Sequence, residues 1–139
     1  DPGKLTNFGI SQRSYPNLDI AHLTREQALE IYRRDYWEPL HGDDLPAGLD
    51  LLALDTAVNM GTTTAALLLQ EALNVRTDGL IGGMTINGAR QQMPAILGKF
   101  CALRAWRYEI NRNEDVFGKG WFRRLFRLYE MALDWSRKQ

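Results

Sequence analysis

Asp55 and Asn59 stand four residues apart in an otherwise apolar stretch, so a helix there places both on one face with Thr56 alongside. A carboxylate and an amide so placed either face a polar ligand or satisfy backbone groups of a neighbouring loop. Buried polar groups need a partner in both cases. Asp1 before Pro2-Gly3 reads most simply as a turn former, and Thr6 as a strand residue. His22 and His41 are too few and too isolated for a metal site. Cys101, between Phe100 and Ala102-Leu103, reads as a small core filler rather than half of a catalytic Cys–His pair. Gly79, Gly82 and Gly83 are not followed by the Gly-Lys-Ser/Thr of a phosphate-binding loop. Trp121, Arg123, Arg124 and Arg127 fit one apolar face beside one solvated face. Spacing alone reaches an α-rich domain with a candidate polar cleft.

The elements that must position these residues are mostly helical. Thr6-Asn7-Phe8-Gly9-Ile10 is compatible with a short strand in an irregular N-terminal lobe. Thr24-Arg25-Glu26-Gln27 is a capping box, opening a helix with Leu29, Tyr32 and Tyr36 on one face and a stop before Pro39. From Pro46 to Met60 the chain predicts a central buried helix, apolar nearly all round through Leu49, Leu51, Leu52, Leu54, Ala57 and Val58, with Gly61 as its C-cap. A third helix starts within Thr62-Thr63-Thr64 and runs to about Asn74. A tight loop through Thr77-Asp78-Gly79 and Gly82-Gly83 follows, with Thr85 placed to cap a short helix. Long helices then cover about Pro94 to Arg112 and about Gly120 to Lys138. The last has Phe122, Leu125, Phe126, Tyr129 and Leu133 at helical spacing.

Composition narrows the classes. The chain has 139 residues, enough for one compact domain, and its 45% hydrophobic content fits a packed core. Lys+Arg and Asp+Glu balance at 17 each, so the basic excess of a nucleic-acid binder is missing. One cysteine excludes an intrachain disulfide framework and a thiolate zinc cluster. No apolar run has the roughly 18 residues that stable membrane insertion would need.

Several motifs in order carry a resemblance. Asp1-Pro2-Gly3-Lys4-Leu5-Thr6-Asn7-Phe8-Gly9-Ile10 resembles the aspartate–proline–glycine–glycine–x–threonine–x–x–glycine–isoleucine stretch of the glycoside hydrolase family 108 N-acetylmuramidases, with Lys4 in place of the second glycine. Tyr32-Arg33-Arg34-Asp35-Tyr36-Trp37 is similar to that family's tyrosine–arginine to tyrosine–tryptophan helix. Leu54 to Gly61 resembles its aspartate–x–alanine–valine–asparagine–x–glycine signature. Leu69 to Asn74 with Asp78 to Gly82 resembles its predicted peptidoglycan-binding region, and Gly118 to Arg124 resembles its glycine–tryptophan–x–x–arginine close.

The resemblance implies a lysozyme-like helical domain of the phage-endolysin or secretion-activator type, acting in the bacterial envelope or outside the cell. Residues 1–62 would form the muramidase part, and residues 63–139 a peptidoglycan-binding-like part packed into the same unit. The implied reaction cuts the β-1,4 bond between N-acetylmuramic acid and N-acetylglucosamine, with glycan strands as partner, no nucleic acid, no cofactor and no metal. Such hydrolysis needs a protonated carboxyl at the leaving oxygen and a second group on the other face. By resemblance Asp1 is the second carboxylate and Thr6 holds the attacking water. Tyr36, Trp37, Asp55, Asn59, Asp78 and Thr85 would contact the glycan. The family's acid is a glutamate in a Glu-Gly-Gly-Tyr motif ahead of the position of Asp1, so residues 1–139 alone are expected to bind peptidoglycan without lysing it. Glu38, beside Tyr36-Trp37, is the rival acid within the chain. The alternative is a non-catalytic peptidoglycan-binding or secretion-activator interaction module.

Overall fold

The computed structural model describes residues 5–110 and 115–138, without the side chains of 115–119. Asp1, the expected second carboxylate, and Arg112, the expected helix end, lie outside the described residues. The described chain is mainly α and divides into two compact units, residues 1–35 and 36–139.

In the first unit the expected strand is instead a minimal hairpin. β1 (Thr6–Asn7) pairs antiparallel with β2 (Ile10–Ser11), in the register Thr6 to Ser11 and Asn7 to Ile10. The two turn residues, Phe8 and Gly9, both have positive φ (53° and 78°), which suits the right-handed twist of so tight a hairpin. Tyr32 Oη donates to the Phe8 carbonyl at 2.7 Å and holds the turn. Tyr32 closes α1 (Arg25–Tyr32), which opens on the expected capping box. The Gln27 amide donates to Thr24 Oγ1 at 3.1 Å, and the Thr24 amide donates to Gln27 Oε1 at 2.9 Å. The buried face of α1 is Ala28 and Ile31, joined by Ile10, Ile20 and Leu23, while Leu29 is 57% exposed. The expected Leu29 face was therefore one position off, because an eight-residue helix leaves its apolar stripe ambiguous. A π-helical turn, Arg33–Trp37, continues α1, and the helical path ends before Pro39 as expected.

The second unit is a helical bundle around one core. Its elements are α2 (Leu49–Met60), α3 (Thr62–Leu73), α4 (Gly83–Gln91), α5 (Ala95–Ile110) and α6 (Asp115–Arg137). α2 begins at Leu49 rather than at Pro46 because Gly48 sits at φ +98°, outside the helical region. It is the expected hub: Leu49, Leu52, Ala53, Thr56 and Ala57 are fully buried. Burying each leucine contributes about 1.5–3 kcal/mol. The burial is one-sided, however, for Val58 is 37% exposed. Gly61 caps α2 and is also the N-cap of α3, and Asn74 ends α3 in a left-handed conformation. The N-cap of α4 is Gly82, not Thr85. Thr85 lies inside the helix, with its hydroxyl turned to Gln70. On α6 the buried face is Leu125, Leu128 and Ala132, with Phe122, Tyr129 and Leu133 partly covered. Phe126 is 63% exposed, contrary to its expected place on that face. Cys101 is a buried core residue, as expected, and burial pushes its thiol up to about 11.

Candidate functional site

Thr6 lies exposed on β1, in the hairpin that Tyr32 braces. It is the expected catalytic residue that the described part of the first unit contains.

The expected glycan contacts lie in the second unit and fall into three places. Tyr36 packs against the helical core. Trp37 is half-buried beside it, its indole Nε1 donating to Asp43 Oδ1 at 3.0 Å. Gly42 lies against the Trp37 ring so closely that a Cβ there would clash with the indole. Trp37 thereby forms one wall of an apolar hollow of about 350 Å³, whose other walls include Leu54 of α2 and Met131 and Trp135 of α6. Asp50 lines the same hollow and accepts from the Gly48 and Leu51 amides at 2.9 and 2.6 Å. Burial raises its carboxyl above the ordinary range, against the lowering by those two amides. A partly desolvated acid lining the same hollow as two tryptophans suits a ligand with one apolar face and hydroxyl groups along its edge.

Asp55 and Asn59 meet one turn apart on α2. Asn59 Nδ2 donates to the Asp55 carbonyl at 2.8 Å and to Asp55 Oδ2 at 3.2 Å. Asp55 also bridges two arginines from distant helices. Its Oδ2 stands 2.8 Å from Arg104 Nη1 of α5, and its Oδ1 stands 2.5 Å from Arg124 Nη2 of α6. Arg104 is fully buried; it donates to Thr56 Oγ1 at 2.8 Å and to Tyr108 Oη at 2.7 Å, while its Nη2 has no partner among the described residues. Thr56 passes the chain of bonds on to the Leu52 carbonyl at 2.7 Å. Asp55 thus ties α2 to α5 and α6, and the exposed Asn59 amide lies at the edge of a pocket with Tyr108, Trp121 and Arg124.

Asp78 and Thr85 meet around Gln70, which is buried. Gln70 Nε2 lies within 3.2 Å of Asp78 Oδ1, the Leu80 carbonyl and Thr85 Oγ1, while Gln70 Oε1 accepts from the Gly79 amide at 2.8 Å. The Leu80 amide, first, and the Gln70 side chain hold the Asp78 carboxyl below its ordinary value. Both residues therefore brace the loop between α3 and α4. Asp78 is exposed and Thr85 is only 3% exposed.

Trp135, Met131 and Asp50 escaped the sequence reading. The signal was present in part, since Arg124, Arg127, Met131 and Trp135 recur at three- and four-residue steps along α6. Nothing in the spacing, however, tells which helix they face. Among the described residues no group of three or more His, Cys, Asp and Glu side chains could hold a metal ion, and no helix is long and apolar enough to cross a membrane.

Comparison with known proteins adds two findings. Residues 1–61 match the family described as Glycosyl hydrolase 108. The whole chain is similar to the solved structure of Brucella abortus SagA, at 36% identity, covering 99% of this chain and 84% of that one, with a TM-score of 0.87. No curated protein matches significantly.

Proposed function

Because the chain belongs to the glycosyl hydrolase 108 family and has its lysozyme-like helical fold, we propose that it is a peptidoglycan hydrolase cutting the β-1,4 bond between N-acetylmuramic acid and N-acetylglucosamine. The observation that carries this reading is the match over residues 1–61, which includes the Asp1 to Ile10 stretch with Asp1 and Thr6. In the proposed mechanism a glutamate of the family's Glu-Gly-Gly-Tyr motif protonates the leaving oxygen. Asp1 acts on the opposite face, and the Thr6 hydroxyl orients the water. The braced hairpin supports that role, since a hydroxyl that positions water needs a fixed backbone.

Tyr36, Trp37 and Asn59 serve glycan binding in this reading, with Trp37 stacking on a sugar face and Asn59 offering its amide at the rim. Asp55 positions the end of α2 through its arginines. Asp78 and Thr85 act by fixing the loop after α3. The functional division at residues 62 and 63 then separates a hydrolase part from a binding part. The place of action is the bacterial envelope or the cell exterior.

A turbidity assay on purified cell walls tests the proposal. A protein carrying the family's glutamate ahead of Asp1 should clear the suspension, and its Glu→Gln form should bind without clearing. General acid catalysis contributes about 10²–10⁴-fold, so the contrast is large. Thr6→Val should slow clearing without loss of wall binding. Clearing by residues 1–139 alone would place the acid within them, with Glu38 the first residue to mutate. Wall binding with no clearing by any form would leave the binding-module reading.

A further inference from the structure

The apolar hollow of Trp37, Leu54, Met131 and Trp135 does not end at Met131. Leu51 and Met131 also line a second hollow, of about 680 Å³, that continues between α2 and α6. Its character is different. Arg123, Arg124 and Arg127 line it, and Asp55 is the one acid among its lining residues. Asp55 already has two arginine partners, Arg124 in front and Arg104 behind. Arg123 and Arg127 have no ion-pair or hydrogen-bond partner among the described residues, and both are exposed. The groove is thus mostly apolar and aromatic at one end, where Asp50 and the Lys138-paired Asp134 also line it, and cationic at the other. In a chain whose charges balance, this is a local excess and not general basicity.

Arg123 and Arg127 are four residues apart on one helix, so their side chains start about 5–6 Å from each other. Guanidinium groups at that spacing can each take one carboxylate of a ligand carrying two. The neighbouring tryptophans take an apolar or sugar face. Resting on the peptidoglycan reading above, we infer that this groove binds the acidic peptide carried by N-acetylmuramic acid. Arg123 and Arg127 hold the peptide carboxylates, and Trp37 and Trp135 hold the attached sugar. The chain then recognises peptide-bearing glycan in preference to bare glycan. That recognition is independent of the reacting carboxylates.

The probe is N-acetylmuramyl-L-alanyl-D-glutamate, which carries two free carboxylates, compared by calorimetry with its diamide. Peptide-stripped glycan strands serve as the second ligand. The diacid should bind at least roughly tenfold more tightly than the diamide, the ratio that corresponds to about 1.4 kcal/mol. Arg123→Gln with Arg127→Gln should bring the diacid down to the affinity of the diamide and leave stripped glycan unchanged. The same pair as lysines should keep part of the preference, which separates charge recognition from misfolding. Equal affinity for diacid and diamide, an unaffected glutamine variant, or displacement of the diacid by equimolar inorganic phosphate would each overturn the inference. Binding of stripped glycan without the diacid would sink this inference alone. Binding of neither would sink the peptidoglycan reading with it.

Discussion

Removing Asp55 should be among the most damaging single changes in the second unit. Arg104 is fully buried, and Asp55 is its charge partner at 2.8 Å among the described residues. Asp55→Ala leaves the guanidinium with only the neutral Thr56 and Tyr108 hydroxyls. Breaking a buried pair from one side costs about 3–5 kcal/mol. The Asp55 side chain keeps 16% exposure, so water can reach the gap and the expected loss is about 2–4 kcal/mol. At ~4 °C per kcal/mol for a unit of this size, the melting point should fall by roughly 8–16 °C. The reverse deletion should be milder. Arg104→Met fills the same space with apolar atoms, and Asp55 keeps Arg124 and Asn59, so about 1–2 kcal/mol is expected. Urea and thermal unfolding of both variants and the double mutant measure the asymmetry. An Asp55→Ala loss below about 1 kcal/mol, or one no larger than that of Arg104→Met, would refute the assignment of Arg104 as a buried charge held by Asp55.

Three further outcomes follow from the same geometry. Asn59 is exposed and, among the described residues, bonds only within its own helical turn, so Asn59→Ala should cost under about 1 kcal/mol while weakening wall binding. A melting point lowered as far as that of Asp55→Ala would make Asn59 structural. Cys101 is buried with its thiol pushed up to about 11, so iodoacetamide at pH 8 should label it only after denaturant is added; fast labelling of the native protein would contradict its burial. Asp78 is held below its ordinary 3.8 by the Leu80 amide and then by Gln70. A lowered folded value means that its contribution is complete above that ordinary value and is lost as pH falls through the folded one. The Leu80 amide resonance should accordingly hold steady from pH 8 to pH 5 and move only below about 4, and a midpoint above 5 would be inconsistent with this bonding.

How much of this could be read from the sequence depended on the distance over which each feature is determined. The Thr24–Gln27 capping box is settled by four neighbouring residues, and it came out as expected. The Gly61 cap and the burial of Leu52 likewise follow from local pattern. Leu29 was misplaced because an apolar stripe can be drawn through either of two adjacent rows on an eight-residue helix. On the long α6, by contrast, only Phe126 fell outside the expected face, beside a buried row that includes the expected Leu125. Tertiary packing chose Ala28 and Ile31 in one case, and Leu125 and Leu128 in the other. Thr85 has the chemistry of a cap but found a buried glutamine fifteen residues back. The partners of Asp55 lie 49 and 69 positions along the chain, beyond any periodicity, so its pairing was invisible while its location on a helix face was not.

Gly61 has a consequence for how such proteins change over time. It is the cap shared by α2 and α3, so the hinge between the two proposed functional halves is one residue wide. Yet Leu49 and Leu52 before it and Ala65 and Leu69 after it belong to one continuous core. A recombination crossover at that glycine would join backbones smoothly and still mix side chains from two lineages inside the same packed interior. Exchange of the proposed wall-binding segments between relatives should therefore succeed when the inner face of α2 travels with the transplanted helices. Where it does not, compensating substitutions are expected at the buried Leu52 and Leu69 rather than on the surface.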